Sequence, residues 1–422
     1  MNRMAQDTPT RVAGGGARRL AGSLGPAFVA CIAYVDPGNV AANLTAGAQY
    51  GYLLTWVLVI ANAMAMLIQY QSAKLGIVTG RTLPELLGQR LGPRSRRLYW
   101  IQAELVALAT DLAEVVGGAI ALQLLFRVPL PLGALIVGVV SLGILAIQDH
   151  RTQQRFELAI VGLLAVITIG FLAGLIASPP SPAGVAAGLV PHFEGHETLL
   201  LAASMLGATV MPHAIYVHSA LSRDRHRSDP HKHVPAAAVT RLLRGTRLDV
   251  VIALGIAGVV NVGMLLLAAS TLDGKYGTDT IEGAHAAITA TLGSLVGTVF
   301  AIGLLASGLA SSAVGSYAGA TIMDGLLGRR IPVILRRAIT LAPSVLLLAL
   351  GVDPTLSLVV SQVVLSFGIP FALVPLVRLT SDRRLVGPFA SSPLLTAASW
   401  ASAGLVIALN LALLWLTAMP EA

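Results

Sequence analysis

Long apolar stretches dominate the chain, and polar residues gather in the short segments between them. A helix crossing the ~30 Å hydrocarbon core of a bilayer needs about 20 mostly apolar residues. Windows of that length fall at roughly 22–48, 53–75, 100–126, 130–148, 156–177, 199–221, 248–270, 293–323, 334–351, 355–377 and 394–417. No alternation of period two recurs along these windows, so they predict helices and a bundle instead of a barrel. The fold class expected is an all-α polytopic membrane protein with eleven transmembrane helices.

Two of the windows are interrupted near their middles. The first reads AFVACIAYVDPGNVAANL, where Pro37 and Gly38 are expected to interrupt the helix beside Asp36 and Asn39. The sixth reads LLLAASMLGATVMPHAIYVHSAL, where Pro212 removes a backbone donor between Met211 and His213. Ordinary proline kinks, satisfied by neighbouring helices, are the plainer explanation. Two breaks five spans apart, both flanked by side chains able to act as ligands, instead point to an inverted-repeat transporter with its site at the mid-membrane breaks. Because five is odd, the second repeat must run inverted. The division expected is a tail at 1–21, a 5+5 inverted repeat at 22–177 and 199–377 with an external loop at 178–198 between, and an added helix at 394–417.

Composition excludes a soluble protein. Of 422 residues, 55% are hydrophobic and only 11% are charged, with a mean hydropathy of +0.78; soluble domains carry roughly 25% charged residues. A net charge of +8 would suggest nucleic acid in a soluble protein. Here it marks sidedness, and no nucleic-acid partner is expected. Assigning alternate connections to alternate sides places 26 of the 28 Lys and Arg on one side, with only Arg127 and Lys275 opposite, near Glu194, Glu197 and Glu282. The positive-inside rule makes the basic side cytoplasmic. The N-terminus is then inside and the C-terminus outside, in the cell inner (plasma) membrane. The first residues read as a disordered cytoplasmic tail, and the apolar stretch after them carries no cleavage site. The single cysteine, Cys31, excludes a disulfide framework and a multi-cysteine metal cluster; it reads as a small buried hydrophobe.

A carboxylate at mid-membrane costs about 2.5–3.5 kcal/mol on insertion scales, and a cation, proton or positive side chain must offset it. Around Asp36 the first break offers the Asn39 amide oxygen and a freed carbonyl, that of Ala33, at the negative end of a half-helix dipole. Oxygen ligands alone suit Mg²⁺, Ca²⁺ or Na⁺. Met211 adds a thioether, which suits later first-row and softer divalent ions, and the Ala208 carbonyl one turn earlier is freed by Pro212. Methionine is usually core filler, and Met211 stands apart only by its position at the break.

Asp36-Pro37-Gly38-Asn39 in a broken first helix, with Met211-Pro212-His213 in a broken sixth, resembles the Nramp family of proton-coupled divalent-metal transporters, in its bacterial eleven-helix type. The similarity runs through QAELVALATDLAEVVG in span three, LRRAITLAP entering span nine and SQVVLSFGIPFALVPL in span ten. The resemblance implies a LeuT-type fold and import of Mn²⁺ and Fe²⁺ by proton symport and alternating access, with Cd²⁺ and Co²⁺ among the softer ions expected to follow. The metal is substrate, no cofactor is implied, and a monomer is expected. Carried across, the metal ligands are Asp36, Asn39, Met211 and the carbonyls of Ala33 and Ala208. Gln362 joins as span ten moves, and Asn261 of span seven supports the set.

Span three carries Glu104, Asp111 and Glu114. At 100° per residue Glu104 and Asp111 differ by about 20°, and Glu104 and Glu114 by about 80°, so the three share a face. Three carboxylates cannot face lipid, so that face turns inward, where Arg336 and Arg337 at the start of span nine are candidate counter-charges. The resemblance assigns proton exchange to Asp36 and Asp111, with Glu114 and Arg337 leading on to the cytoplasm. A structural network pinning span three to span nine is the alternative, with positive-inside anchoring equally able to explain Arg336. His213 and His218 follow the second break and are read as residues of the proton path, not as metal ligands.

The basic loop around His226, His231 and His233 reads as a solvated, lipid-contacting segment. A sodium-coupled organic solute carrier on the same fold explains the breaks but leaves Met211 unused. A magnesium carrier of the same superfamily is opposed by the thioether. An enzyme is not expected, since neither HExxH nor GxSxG occurs. A passive channel would not accumulate its ion.

Overall fold

Helices occupy the position of every apolar window. The computed structural model describes residues 25–146, 153–226, 235–272, 277–278, 280–329 and 331–418. The expected tail at 1–21, together with His231, His233 and Lys275, lies outside them. In chain order the helices are α1 (Pro26–Cys31), α2 (Pro37–Tyr50), α3 (Thr55–Thr79), α4 (Leu83–Arg90), α5 (Pro93–Phe126) and α6 (Leu130–Ala146). There follow α7 (Gln153–Ala177), α8 (Pro182–Gly188), α9 (Gly195–Thr209), α10 (Pro212–His226), α11 (Ala236–Thr271) and α12 (Ile281–Leu292). The last are α13 (Ser294–Leu327), α14 (Val333–Ala349), α15 (Pro354–Ser381), α16 (Arg383–Val386) and α17 (Pro393–Ala418). Among the described residues there is no strand. Among the described residues eight helical stretches are long and apolar enough to cross a membrane by themselves. The other three windows hold the broken α1–α2 pair and the 17-residue α6 and α14.

The helix positions agree with the windows, but several ends do not. Span seven was expected to start at 248 and starts at Ala236; span three starts at Pro93 instead of 100. An α-helix satisfies its own backbone and continues past the hydrocarbon edge wherever its side chains can be solvated, so charge marks the edge of the apolar layer and not the end of the helix. The short helices α4, α8, α12 and α16 lie in segments read as connections. Of these, α4 carries a full capping box, Thr82 with Glu85.

The two breaks also differ in detail. The first half-helix ends at Cys31, passes through a 3₁₀ turn at Ile32–Val35, and stops at an extended Asp36. Pro37 and Gly38 do not interrupt the helix: they form the first turn of α2, which Asp36 caps through the Asn39 backbone N–H. Proline is pre-shaped for the first helical position, where its missing donor costs nothing, so the break falls just before it. Pro212 likewise opens α10 after a two-residue link, Val210–Met211.

The packing repeats on a shift of five spans. The third span packs on the tenth (α5 on α15) as the eighth packs on the fifth (α13 on α7). The second packs on the sixth (α3 on α10) as the seventh packs on the first (α11 on α2), and α6 meets α13 as α14 meets α5. The broken spans lie alongside each other in opposite directions, α1 against α10 and α2 against α9. This is the arrangement an inverted repeat requires, and it brings the two breaks together.

The surface is apolar where a soluble protein would be polar. Ile176, Leu295 and Ile334 are 87%, 76% and 75% exposed, while Asp36, Glu114, Gln69 and His218 have no exposed surface. Such an inversion suits a bundle whose solvent is lipid. Basic residues collect at one end, where Arg223 pairs with Glu85 at 2.5 Å and Arg90 with Asp382 at 3.1 Å. The Arg384 backbone N–H and then Arg90 hold the Asp382 carboxyl below its ordinary pKa.

Helices approach most closely at glycine. A Cβ on Gly117 of α5 would stand 2.0 Å from the Cβ of Pro37. Gly117→Ala is therefore expected to displace the first break and lower the melting temperature of the purified protein by several degrees, since overpacking costs about 1–3 kcal/mol. Gly143→Ala, where nothing lies within 4 Å, should leave it unchanged or raise it. Equal melting temperatures for the two variants would contradict this packing.

Candidate functional site

The site grows from the cap of α2. One Asp36 oxygen, Oδ1, accepts from the Asn39 backbone N–H at 2.8 Å and from the Asn39 side-chain Nδ2 at 2.7 Å. The same Nδ2 donates to the Ala208 carbonyl at 3.0 Å, and Thr209 Oγ1 lies 3.4 Å from Asn39 Oδ1. A single amide thus bridges the carboxylate of the first break to a carbonyl of the second. Its N–H₂ stands between two oxygens, a position that a cation could take if the amide turned to present Oδ1.

The other oxygen, Oδ2, lies 3.5 Å from Gln362 Nε2. Gln362 reaches it across Gly38, where a Cβ would stand 1.8 Å from Nε2. The α9–α15 approach is equally close, since a Cβ on Gly207 would meet the Gln362 carbonyl at 1.9 Å. Gln362 Oε1 is buried without a partner. Buried polar atoms are nearly always satisfied, so the side chain that turns its N–H₂ to Asp36 leaves an acceptor free at the same place. Met211 lies in the link between α9 and α10. Asp36, Asn39, Ala33, Ala208, Met211 and Gln362 are each 0% exposed, so the site is closed to water on both sides.

Neighbouring spans hold the first break open. Asn261 Nδ2 of α11 donates to the Tyr34 carbonyl at 2.6 Å and its Oδ1 accepts from Asn43 Nδ2 at 3.0 Å. Ser307 Oγ of α13 donates to the Val35 carbonyl at 2.5 Å. These donors take up carbonyls that the missing helical turn would have left bare.

The three acids of α5 all turn inward. Glu104 pairs with Arg336 at 2.8 Å. Asp111 pairs with Arg337, whose Nη2 also donates to Ser141 Oγ at 2.9 Å and Ser312 Oγ at 2.5 Å. Glu114 is buried, and neither of its oxygens has a hydrogen-bond partner. His213 Nδ1 lies 3.2 Å from Thr110 Oγ1, and His218 Nδ1 lies 2.8 Å from Gln69 Oε1. Both histidines are buried with Nε2 unpartnered. Cys31 is buried, with its thiol donating to the Phe28 carbonyl at 3.1 Å.

Gln69, Asn43, Thr209 and Ser307 escaped the sequence reading. The chain from His218 through Gln69 to Tyr34 Oη, which Gln69 Nε2 reaches at 2.5 Å, ties the second break to the first. A signal for it existed, because amides such as Gln69 and Asn43 inside apolar windows are costly unless they pair. Among the described residues no group of three or more His, Cys, Asp and Glu is placed to hold an ion. The candidate set is one carboxylate with neutral oxygens and a sulfur.

Asn261→Ala would leave the Tyr34 carbonyl and the Asn43 amide without partners, at about 1–3 kcal/mol each for a buried group. A clear fall in the thermal midpoint of the detergent-solubilised protein is expected. An unchanged midpoint would mean that the break holds without this donor.

A family model described as Nramp, natural resistance-associated macrophage protein-like, matches residues 27–416. The divalent metal cation transporter MntH of Mycobacterium tuberculosis is 57% identical over 394 residues, 93% of this chain and 91% of the relative. The protein of the same name from Bacillus subtilis is 44% identical over 404 residues, 94% and 93% of the two chains. A solved manganese transporter of Eremococcus coleocola superposes with a TM-score of 0.82 at 30% identity, covering 96% of this chain and 88% of the other. A nucleobase-cation-symport-1 family transporter in a closed conformation gives 0.60 at 16% identity, covering 92% and 90%, a likeness of fold alone.

Proposed function

The chain belongs to the Nramp family, and we propose that it carries Mn²⁺ and other divalent transition metals into the cell together with protons, by alternating access. Relatives named as divalent metal cation transporters at 44–57% identity support transport of that ion class. The observation that carries the proposal is the Asn39 amide bridging Asp36 to the Ala208 carbonyl across the two breaks.

A divalent ion arriving here would displace that N–H₂. Asp36 supplies the charge, and the turned Asn39 amide, the Ala208 and Ala33 carbonyls and Gln362 Oε1 supply neutral oxygens. Met211 supplies the sulfur that favours Mn²⁺, Fe²⁺, Co²⁺ and Cd²⁺ over Ca²⁺ and Mg²⁺. With one carboxylate, the set leaves net positive charge on the bound ion, so it suits a cargo that must leave again. Rocking of the helices around the breaks would open the closed site to one side and then the other.

The proton route runs along α5. Asp36 gives up its proton as metal arrives, and Asp111, Glu114 and the Arg337 pair pass it on, with Glu104 and Arg336 nearer the basic end and His213 and His218 lining the path below the second break. Buried acids and histidines facing a bundle interior are the usual parts of proton relays. The basic end is cytoplasmic by the positive-inside rule, which sets the N-terminus inside the plasma membrane. A sodium-coupled organic solute carrier is less well supported, since the likeness to the nucleobase transporter reaches only the fold.

Mn²⁺ uptake into proteoliposomes, with Ca²⁺ and Mg²⁺ as competitors, tests the ligand set. Met211→Ala should retain part of the Mn²⁺ uptake and lose discrimination against Ca²⁺; unchanged selectivity would remove the thioether from the site. For the proton route, Glu114→Gln should leave metal-driven uptake largely in place while weakening acidification of the lumen. Proton entry equal to the parent's would take Glu114 out of the path.

A further inference from the structure

The basic end of the bundle holds a cavity that neither the metal site nor the acid–arginine pairs use. Its volume is about 600 Å³, inside the ~300–1,000 Å³ typical of ligand clefts. It lies between the start of α5, which gives Arg96, Arg97, Trp100 and Ile101, and the end of α13, which gives Leu327 and, just beyond it, Arg329. Three guanidinium groups line it and no carboxylate does. Among the described residues Arg97 and Arg329 join no ion pair, and Arg96 reaches only the Gly88 carbonyl, at 3.4 Å. The Nε–H of Arg96 and the indole N–H of Trp100 are both shielded without a partner.

The helix start adds to the imbalance. The first turn of α5 has no acidic residue, so its arginines stand at the positive pole of the helix dipole, where cations are unfavourable unless an anion joins them. The surroundings show which anion. On the outer side of the same stretch Leu98, Ile101 and Leu105 are 68%, 46% and 58% exposed, the mark of a surface facing acyl chains. Most of the cavity wall is apolar, and a tryptophan stands where apolar surface gives way to the basic rim, as at membrane interfaces.

We propose that this cavity binds the phosphate headgroup of an anionic phospholipid from the cytoplasmic leaflet, with acyl chains lying along Leu98 and Ile101. The arginines meet the phosphate oxygens in the paired geometry that guanidinium favours, and basic pockets between spans on this side suit such lipids. The proposal uses the sidedness given above but does not depend on which ion is carried. A lipid here would brace α5 against α13 one turn from the Glu104–Arg336 pair.

Native mass spectrometry of the full chain in neutral detergent, titrated with phosphatidylglycerol and with phosphatidylcholine of the same acyl chains, tests this. The parent should retain one phosphatidylglycerol in preference to phosphatidylcholine. Arg97→Gln with Arg329→Gln should weaken that binding roughly thirtyfold, at about 1 kcal/mol per arginine. Arg241→Gln with Arg244→Gln, an equal loss of charge outside the cavity, should change it less than about twofold. Arg97→Lys with Arg329→Lys keeps the charge and should keep the lipid preference, which serves as the readout if the glutamine pair does not fold. Equal loss in both glutamine pairs, no preference over phosphatidylcholine in the parent or the lysine pair, or full displacement by millimolar inorganic phosphate would each overturn the proposal.

Discussion

One carboxylate without a fixed counter-charge, Asp36, governs how the rest of this bundle is arranged. Placed between two half-helices in a closed interior, it takes its stabilisation from Asn39 and from a glutamine that reaches it across Gly38. Neither is a charge. No arginine or lysine is paired with it among the described residues, in contrast to Glu104 and Asp111, each of which has its own arginine. An acid supported only by neutral dipoles can exchange its compensation between a proton and a metal ion, and that exchange is what coupled transport needs. The surrounding spans then serve this one group: Asn261 and Ser307 take the bare carbonyls of the break, and Gly117 lets α5 close on Pro37.

The ion pairs of α5 belong to the same economy of charge. Two acids are tied to arginines of α14, and the third, Glu114, sits between them and Asp36 without a hydrogen-bond partner. The sequence of unpaired, paired and more exposed carboxylates runs from the break towards the basic end. On the proposed mechanism this order is a route with rising access to water. The arginines that complete it stand at the start of α14, so the route is anchored between the two repeats and not within one of them.

Much of this was legible in the chain itself. Helix positions followed from apolar windows because lipid demands about twenty such residues per crossing. The inverted repeat followed from two prolines in register, and the inward face of α5 from three acids that lipid would not tolerate. The helix ends were less legible, since Ala236–Arg247 is helical but charged, and only packing and self-satisfied backbone decide that. The place of the first break was misread by a residue or two because Pro37 breaks a helix from inside and starts one from its first position. Asn39 was expected as an oxygen donor, and in the closed site it presents its nitrogen to Asp36 and Ala208, an arrangement set by two elements 169 residues apart. Gln69 and His218 pair across 149 residues, a partnership that no local pattern contains.

The central claim is that Asp36 exchanges a proton for a divalent metal. The most direct measurement is Mn²⁺ uptake into proteoliposomes with and without an inwardly directed proton gradient, for the intact protein and for Asp36→Ala. The account predicts accumulation of Mn²⁺ above its external concentration only with the gradient and only in the intact protein, with Asp36→Ala reduced to the level of empty vesicles. Gradient-driven accumulation that survives in Asp36→Ala would contradict it.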